Sequence, residues 1–332
     1  MPTAAMPTWA DPRDADPRVR LSMLVWQQYT EWAPLMAIAR TIEDLGFDAI
    51  WTWDHLYPIR GEVDGPIFEG YLTLAGWAAV TDRIPMGLMV GANPFRNPGL
   101  VAKMVTTLDH LTGGRMVAGL GGAWFEDEHV AYGIEFGPWI GARLDWLDEA
   151  TMIIRGMLDG TRPSGRKFYD TKSVINAPLP VQPHLPILIG GGGEKKTLAT
   201  VARYGDIWNV WGDIPTIRHK DEVLRRWCAE VGRDPDRIER TYNAGEVVIR
   251  RTRAEAEAVV AEILRVNRGW SGPLELVATP QEAIERLAPF LELGFRHFMF
   301  DYPAPFDRET LELLATVVRP ALDDRLASLR RA

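Results

Sequence analysis

The chain has 332 residues, 46% hydrophobic and 25% charged, enough to bury one large core or two moderate ones. A formal net charge of −8 and a pI near 5.4 argue against DNA, RNA or an anionic membrane as the main partner, although local lysines and backbone amides still allow a small anionic ligand. The single cysteine, Cys228, leaves no internal disulfide framework and no thiolate metal cluster, and it reads as inert packing. No apolar run reaches bilayer length, and Met1 to Asp16, rich in Pro, Ala and Asp, lacks the basic start and apolar middle of a signal peptide. The cytoplasm is therefore the expected compartment, and residues 1–18 are expected to be disordered or loosely attached to a single domain over 19–330.

Short runs rich in Val, Ile, Leu, Met and Trp alternate with longer amphipathic stretches. In chain order the strands are expected at Arg20–Trp26, Ala49–Trp53, Met86–Val90, Arg115–Leu120, Pro186–Ile189, Ile207–Val210, Arg240–Ile249 and His297–Asp301. Between them helices are expected at Ala33–Leu45, Gly70–Thr81, Pro98–Leu111, Ile140–Asp159, Glu194–Tyr204, Thr216–Val231 and Gln281–Leu293, with a last one from Asp307 to about Arg325. Continuous apolar strands alternating with helices imply a parallel sheet covered by helices, and eight such units fit an α/β fold of the closed (β/α)8 TIM-barrel type. The competing open doubly wound sheet would carry Gly-x-Gly-x-x-Gly after its first strand, where Leu21 to Gln28 stands instead. Insertions are expected near 55–69, 121–138, 161–185 and 250–279. The third, with alternation around Phe168–Tyr169 and Val174–Ile175, reads as a hairpin.

A barrel puts its chemistry in the loops after strand C-termini. The run Pro186 to Thr197 reads as a buried strand that breaks into Gly190, Gly191, Gly192 and Gly193 and enters a helix, a place suited to a phosphate. Lys195 and Lys196 are expected in the first helical turn, where the dipole disfavours cations and a bound anion would offset this. The competing reading is a tight turn with nothing bound, although four consecutive glycines cost about 1 kcal/mol each in chain entropy. The second strand ends in Asp54–His55, where an imidazole can exchange a proton near neutral pH, or can simply bond a loop carbonyl. Trp26, Tyr57, Trp124 and Phe125 are candidate walls around a flat ligand, or ordinary packing. Glu126 to His129 offers one weak metal-ligand pair and reads better as a solvated helix start, so no metal is expected. His110, before a Gly turn, reads as a helix-end residue compensating the dipole. With no nucleophile elbow, zincin or Walker signature, catalytic power is expected from a bound organic cofactor.

Several ordered blocks make the chain recognisable. They are Ala39 to Trp51 leading into Asp54–His55; Phe95–Pro98 leading into Ala102–Lys103; Leu108 to Ala118 followed by Gly119-Leu120-Gly121; Ile187 to Gly193; and Tyr204 to Asn209. From about residue 20 to 320 the sequence resembles the bacterial luciferase-like monooxygenase superfamily, and within it the coenzyme F420-dependent oxidoreductases. The resemblance implies a barrel with the cofactor ring across its C-terminal mouth, a non-proline cis peptide after the third strand at Met89–Val90, and Asn93 nearby. It further implies Gly190 to Gly193 at the phosphate end, Asp54 on the cofactor side and His55 at the hydride-transfer site. The tetraglycine turn and His55 are thus expected to open onto one cavity. Sugar-phosphate dehydrogenase relatives carry a glutamate proton donor after the fourth strand where Trp124 stands here, which points to a more apolar substrate. Lys195, Lys196, Arg60 or Arg166 could meet the acidic tail that distinguishes F420 from FMN. The alternatives are an FMN-dependent monooxygenase fed by a partner reductase and a non-catalytic flavin-storage barrel. The resemblance also implies a homodimer; Trp and Leu on the helices between 70 and 112 could furnish a shared face, or belong to ordinary buried core helices.

Overall fold

A computed structural model describes residues 18–331. The expectation for the N-terminal segment 1–18 falls, apart from Arg18, which pairs with Asp48 at 2.6 Å, on residues outside this range. Eight parallel strands are present close to the expected ends: β1 (Arg20–Val25), β2 (Ala49–Thr52), β3 (Met86–Leu88), β4 (Met116–Gly121), β5 (Ile187–Gly190), β6 (Ile207–Val210), β7 (Glu239–Ile249) and β8 (His297–Tyr302). With their intervening helices they form a (β/α)8 TIM barrel. Two compact units divide the described residues, one over 85–210 and 215–239, the other over 18–84, 211–214 and 240–331.

In the second of these units β8 lies between β1 and β7. It pairs with β1 from Arg20↔His297 to Val25↔Tyr302, and β1 pairs in turn with β2. The β7–β8 register slips: Met299 faces Asn243, but Asp301 faces Glu246, so one extra residue sits in β7 around Gly245, whose φ is +74°. Tyr242 stacks on Phe290 of the helix Pro280–Glu292 at 3.9 Å and meets Phe298 edge-on. Phe298 therefore faces the helices, and alternation turns His297, Met299 and Asp301 to the opposite, inner face. The last predicted helix is broken into Arg308–Leu313, a π-helical turn Leu314–Val318 and Arg319–Leu329. Pro320 lacks an N–H for the preceding turn and its ring crowds the carbonyl of Thr316, so the helix widens there.

In the first unit β3, β4, β5 and β6 run side by side in order. The β3–β4 ladder stops at Leu88, is interrupted by the cis Met89–Val90 peptide, and resumes as Gly91–Ala92 against Leu120–Gly121. The helix Pro98–Thr112 starts with Asn97 accepting from the Gly99 N–H and ends at left-handed Gly113. His110 lies in its last turn, where a basic residue suits the dipole, and also bonds the Leu179 carbonyl at 2.8 Å.

Carboxylates tie down the starts of the strands. Asp48 accepts from Leu21 N, Glu43 from the N–H groups of Asp82, Arg83 and Ile84, Asp109 from Val181, Gln182 and Met116, and Asp206 from Ile187. Burial alone would raise the Glu43 carboxyl, but three backbone N–H groups and the Arg83 charge together hold it below the usual range. These groups sit at the strand N-termini, the stabilising end of such a barrel, leaving the opposite ends for chemistry.

Two expectations are corrected here. Residues 161–184 double back, with Gly165 N–H on Thr171 O and Val174 N–H on Pro163 O, but no hairpin strands form. The buried Glu149 carboxylate instead collects the consecutive backbone N–H groups of Arg166, Lys167, Phe168 and Tyr169 at 2.7–3.2 Å, which coils the chain tip around it. The Glu126–Tyr132 helix is not a wholly solvated start either. Glu126 and Asp127 are exposed, but Glu128 and His129 are buried, the His129 ring lying 4.5 Å from Phe95 and 4.8 Å from Phe136.

Candidate active site

The end of β1 holds the loop that carries His55. The buried Gln27 side chain donates to Trp53 O at 2.8 Å and accepts from Thr52 Oγ1 at 2.5 Å, locking the last turn of chain before Asp54. Gln28 does the same further along, donating to Arg60 O and accepting from Ile59 N. Tyr29 OH reaches Glu62 O, and its ring fills the space that a side chain at Gly61 or Gly65 would need. Three consecutive residues thus clamp one loop, a role that Leu21 to Gln28 did not announce beyond its missing glycines.

Asp54 is buried and His55 half-buried. The His55 ring stands edge-on to Trp53 at 5.9 Å, Trp53 tilts on Trp26 at 5.0 Å, and Trp26 tilts on Trp270 at 5.2 Å. Trp270 comes from the predicted 250–279 insertion, which holds the helix Arg253–Val266 and a short strand, Leu276–Ala278, paired with β7. Trp26 is fully enclosed, and the indole N–H groups of Trp26 and Trp53 are buried with no hydrogen-bond partner among the described residues. Tyr57 is half-buried on the loop beyond His55.

At the other strand ends, glycines make room for the chain after β3. A side chain on Gly119 would overlap the Leu88 carbonyl, one on Gly121 would overlap Val90, and one on Gly190 would lie 2.8 Å from Val90 Cγ1. Val90 is seated in this notch, Met89 is buried, and Asn93 just beyond is buried with its amide donating to Tyr169 OH at 2.9 Å. Burial pushes the Tyr169 phenol up to about 12, so it stays a neutral partner for Asn93. Glu149 therefore sets the position of Asn93 through the coiled tip that bears Tyr169. We expect Glu149→Ala to cost about 3 kcal/mol in urea unfolding at pH 7, because it strands donors that a buried carboxylate now satisfies. Trp124 stacks on Phe125 at 5.4 Å and is largely exposed, following Ala123 in a left-handed conformation (φ +60°).

The glycine turn departs from the expected form. Its helix begins at Thr197, so Lys195 and Lys196 precede it, and Lys196 is engaged by Asp145 at 2.6 Å and by Gly141 O. What orders the turn is its carbonyls. Trp208 Nε1 donates to Gly191 O at 2.9 Å, Lys220 Nζ to Gly192 O at 2.5 Å and Trp227 Nε1 to Glu194 O at 2.7 Å. In a planar trans peptide the next N–H points opposite to the carbonyl. The N–H groups of residues 192, 193 and 195 are thereby aimed away from those three donors, as an anion-binding turn requires. Gly191, at φ +118°, takes a backbone angle that L side chains rarely adopt. The turn fits the phosphate of a nucleotide-like cofactor, held by amides rather than by lysines.

Asp301 was expected only as the end of a strand. Its carboxyl lies on the inner face beside Glu246, and burial, followed by the Glu246 charge, pushes it up to about 7. The signal for this in the sequence is Asn243-Ala244-Gly245-Glu246, a glycine inside a strand, which marks a bulge. Among the described residues no group of His, Cys, Asp or Glu could hold a metal ion, and no helix is long and apolar enough to cross a membrane.

The family model of the luciferase-like monooxygenases matches residues 19–321. The F420-dependent glucose-6-phosphate dehydrogenase of Microbacterium testaceum (strain StLB037) is 28% identical over 315 residues, covering 86% of this chain and 92% of that protein. Among solved structures, an F420-dependent secondary alcohol dehydrogenase in complex with an F420-acetone adduct aligns with a TM-score of 0.77 at 17% identity, over 92% of this chain and 99% of that one. A long-chain alkane monooxygenase aligns with a TM-score of 0.74 at 16% identity, over 94% and 92%. At such identity the two structures speak for the fold alone. The family match spans the barrel from the start of β1 to beyond β8, and this chain belongs to the luciferase-like monooxygenase family.

Proposed function

We propose that this protein is an oxidoreductase that passes a hydride between the deazaflavin coenzyme F420 and a small organic substrate with a carbonyl, alcohol or activated double bond. The observation that carries this is the match, over nearly the whole of both chains, to a relative named as an F420-dependent dehydrogenase. The amide-lined turn Gly190 to Gly193 would hold the cofactor phosphate, with Asp54, Met89, Val90 and Asn93 as its further contacts. The deazaflavin, once bound, supplies a hydride carrier with little oxygen chemistry. His55, on its clamped loop, holds or delivers the proton at the substrate oxygen, and Tyr57, Trp124 and Phe125 are the proposed substrate walls. Trp26, fully enclosed, packs on Trp53 and Trp270. We place the protein in the cytoplasm as a homodimer; the exposed Leu100 and Leu111 on the helix Pro98–Thr112 support a shared face.

Fluorescence titration of the purified protein with F420 and with FMN tests the assignment. F420 is expected to bind at least tenfold more tightly. Equal or tighter FMN binding would overturn it in favour of a flavin monooxygenase. Tight cofactor binding without turnover across an enone, aldehyde and alcohol panel would favour a storage barrel.

A further inference from the structure

The β7 bulge has a chemical effect. Without the extra residue, regular alternation would put Gly245 on the inner face opposite Asp301; with it, Glu246 takes that place. Asn243 shapes the bulge, its Oδ1 accepting the Gly245 N–H at 2.9 Å. The two carboxyls so paired are not equivalent. Glu246 accepts from Arg60 Nε and from Glu275 N, both at 3.4 Å, and its charge acts to raise Asp301. Asp301 receives the Asn243 amide, which with its oxygen committed to Gly245 can only donate. The Asp301 oxygen facing Asn243 is therefore an acceptor, and the proton belongs on Oδ1, which is buried with no partner among the described residues. A second donor without an acceptor lies on the same face. Asp301 pairs in register with Leu24, and two residues beyond Leu24 stands Trp26, whose indole N–H is also buried and unpaired.

We propose that Asp301 is a neutral carboxylic acid that donates a hydrogen bond from Oδ1 to an uncharged acceptor oxygen of the substrate, so that the pocket takes ketones and secondary alcohols and turns away phosphate- or carboxylate-bearing molecules. The assignment deepens the proposed hydride-transfer function by naming its substrate class. Like charge explains the selection: the Glu246 carboxylate stands beside Asp301 and Glu275 adds to it, while Arg60 opposes and Arg286 partly offsets Glu275. An anion brought to Oδ1 would meet that field, whereas a carbonyl oxygen meets a donor.

Two measurements test this without any turnover. Infrared spectra of the cofactor-free protein should show a protonated carboxyl band that titrates near neutrality, is absent in Asp301→Asn, and titrates at lower pH in Glu246→Gln, where the repelling charge is gone. Tryptophan fluorescence should report cyclohexanone binding at least tenfold more tightly than cyclohexanecarboxylate at pH 6.5. Asp301→Leu should lose that preference, and Asp301→Asn, which keeps a donor, should retain it at pH 8.5, where the wild type loses it. Absence of the band, an unchanged band in Glu246→Gln, or a preference for the carboxylate would overturn the proposal. Failure of the hydride-transfer reading would show differently: the band and the ketone preference would stand while F420 failed to bind or to turn over.

Discussion

His55→Ala is expected to lower turnover of the F420-dependent reaction by about 10²–10⁴-fold, the range for removing a positioned proton donor or acceptor, while the affinity for F420 changes less than threefold. The imidazole is held in place by its surroundings rather than by its own bonds alone. Gln27 locks Thr52 and Trp53, Gln28 fixes Ile59 and Arg60, and Tyr29 secures Glu62, so the loop on both sides of His55 is anchored to the end of β1. The Trp53 ring edge-on to the imidazole limits its rotation. Truncation therefore removes the proton-carrying group while the clamp, which does not involve the imidazole, stays in place. Stopped-flow bleaching of the reduced cofactor with substrate separates the two effects. Turnover within threefold of wild type would end the assignment of His55, and an equal loss of cofactor affinity would make it a binding residue instead.

Gly119→Ala is expected to be strongly destabilising, costing about 4 kcal/mol or more, out of the roughly 5–15 kcal/mol by which folded domains exceed their unfolded chains. Its added carbon would overlap the Leu88 carbonyl oxygen and approach the Leu88 carbonyl carbon to 2.8 Å. Both are backbone atoms on the neighbouring strand, so no side chain can swing away, and β3 and β4 would have to separate where Met86 and Gly87 pair with Met116 and Val117. Gly133→Ala is the control. It puts the same methyl at φ +68° with nothing within 4 Å, and should cost only about 1 kcal/mol, the left-handed penalty alone. Urea unfolding of both variants compares the terms directly; equal midpoints would show that the strands yield at Gly119.

The pH dependence of stability offers an independent view of Asp301. Its carboxyl in the folded protein sits near 7, above the usual carboxylate range, so the folded state keeps a proton that the unfolded chain releases. That stabilisation is complete below about pH 4 and disappears as the pH rises through 7. The melting temperature should accordingly fall between pH 5 and 8 more steeply in the wild type than in Asp301→Asn.

The eight strands and most helices were legible in the sequence because each is written locally. Continuous apolar runs such as Leu188-Ile189 can only be buried strands, and Asn97-Pro98 and Gly113 punctuate a helix by their own backbone preferences. The alternation of the two kinds of element determined the barrel, and the ordered blocks around Asp54–His55 and Gly190–Gly193 determined where the site was to be sought. Tertiary structure decided what answers each of these groups. Lys196 was read as a cation waiting for an anion, yet Asp145, on the helix Ile140–Leu158, had already taken it. The tip of the third insertion coils because Glu149 gathers its amides, which no alternation around Phe168–Tyr169 could convey. Asp301 became a proton-holding group only when one residue inserted in β7 turned Glu246 inward. Backbone preference depends on neighbours along the chain, and it survives in the sequence. Hydrogen-bond partners and electrostatic fields depend on distances across the fold, and they exist only once the strands are side by side.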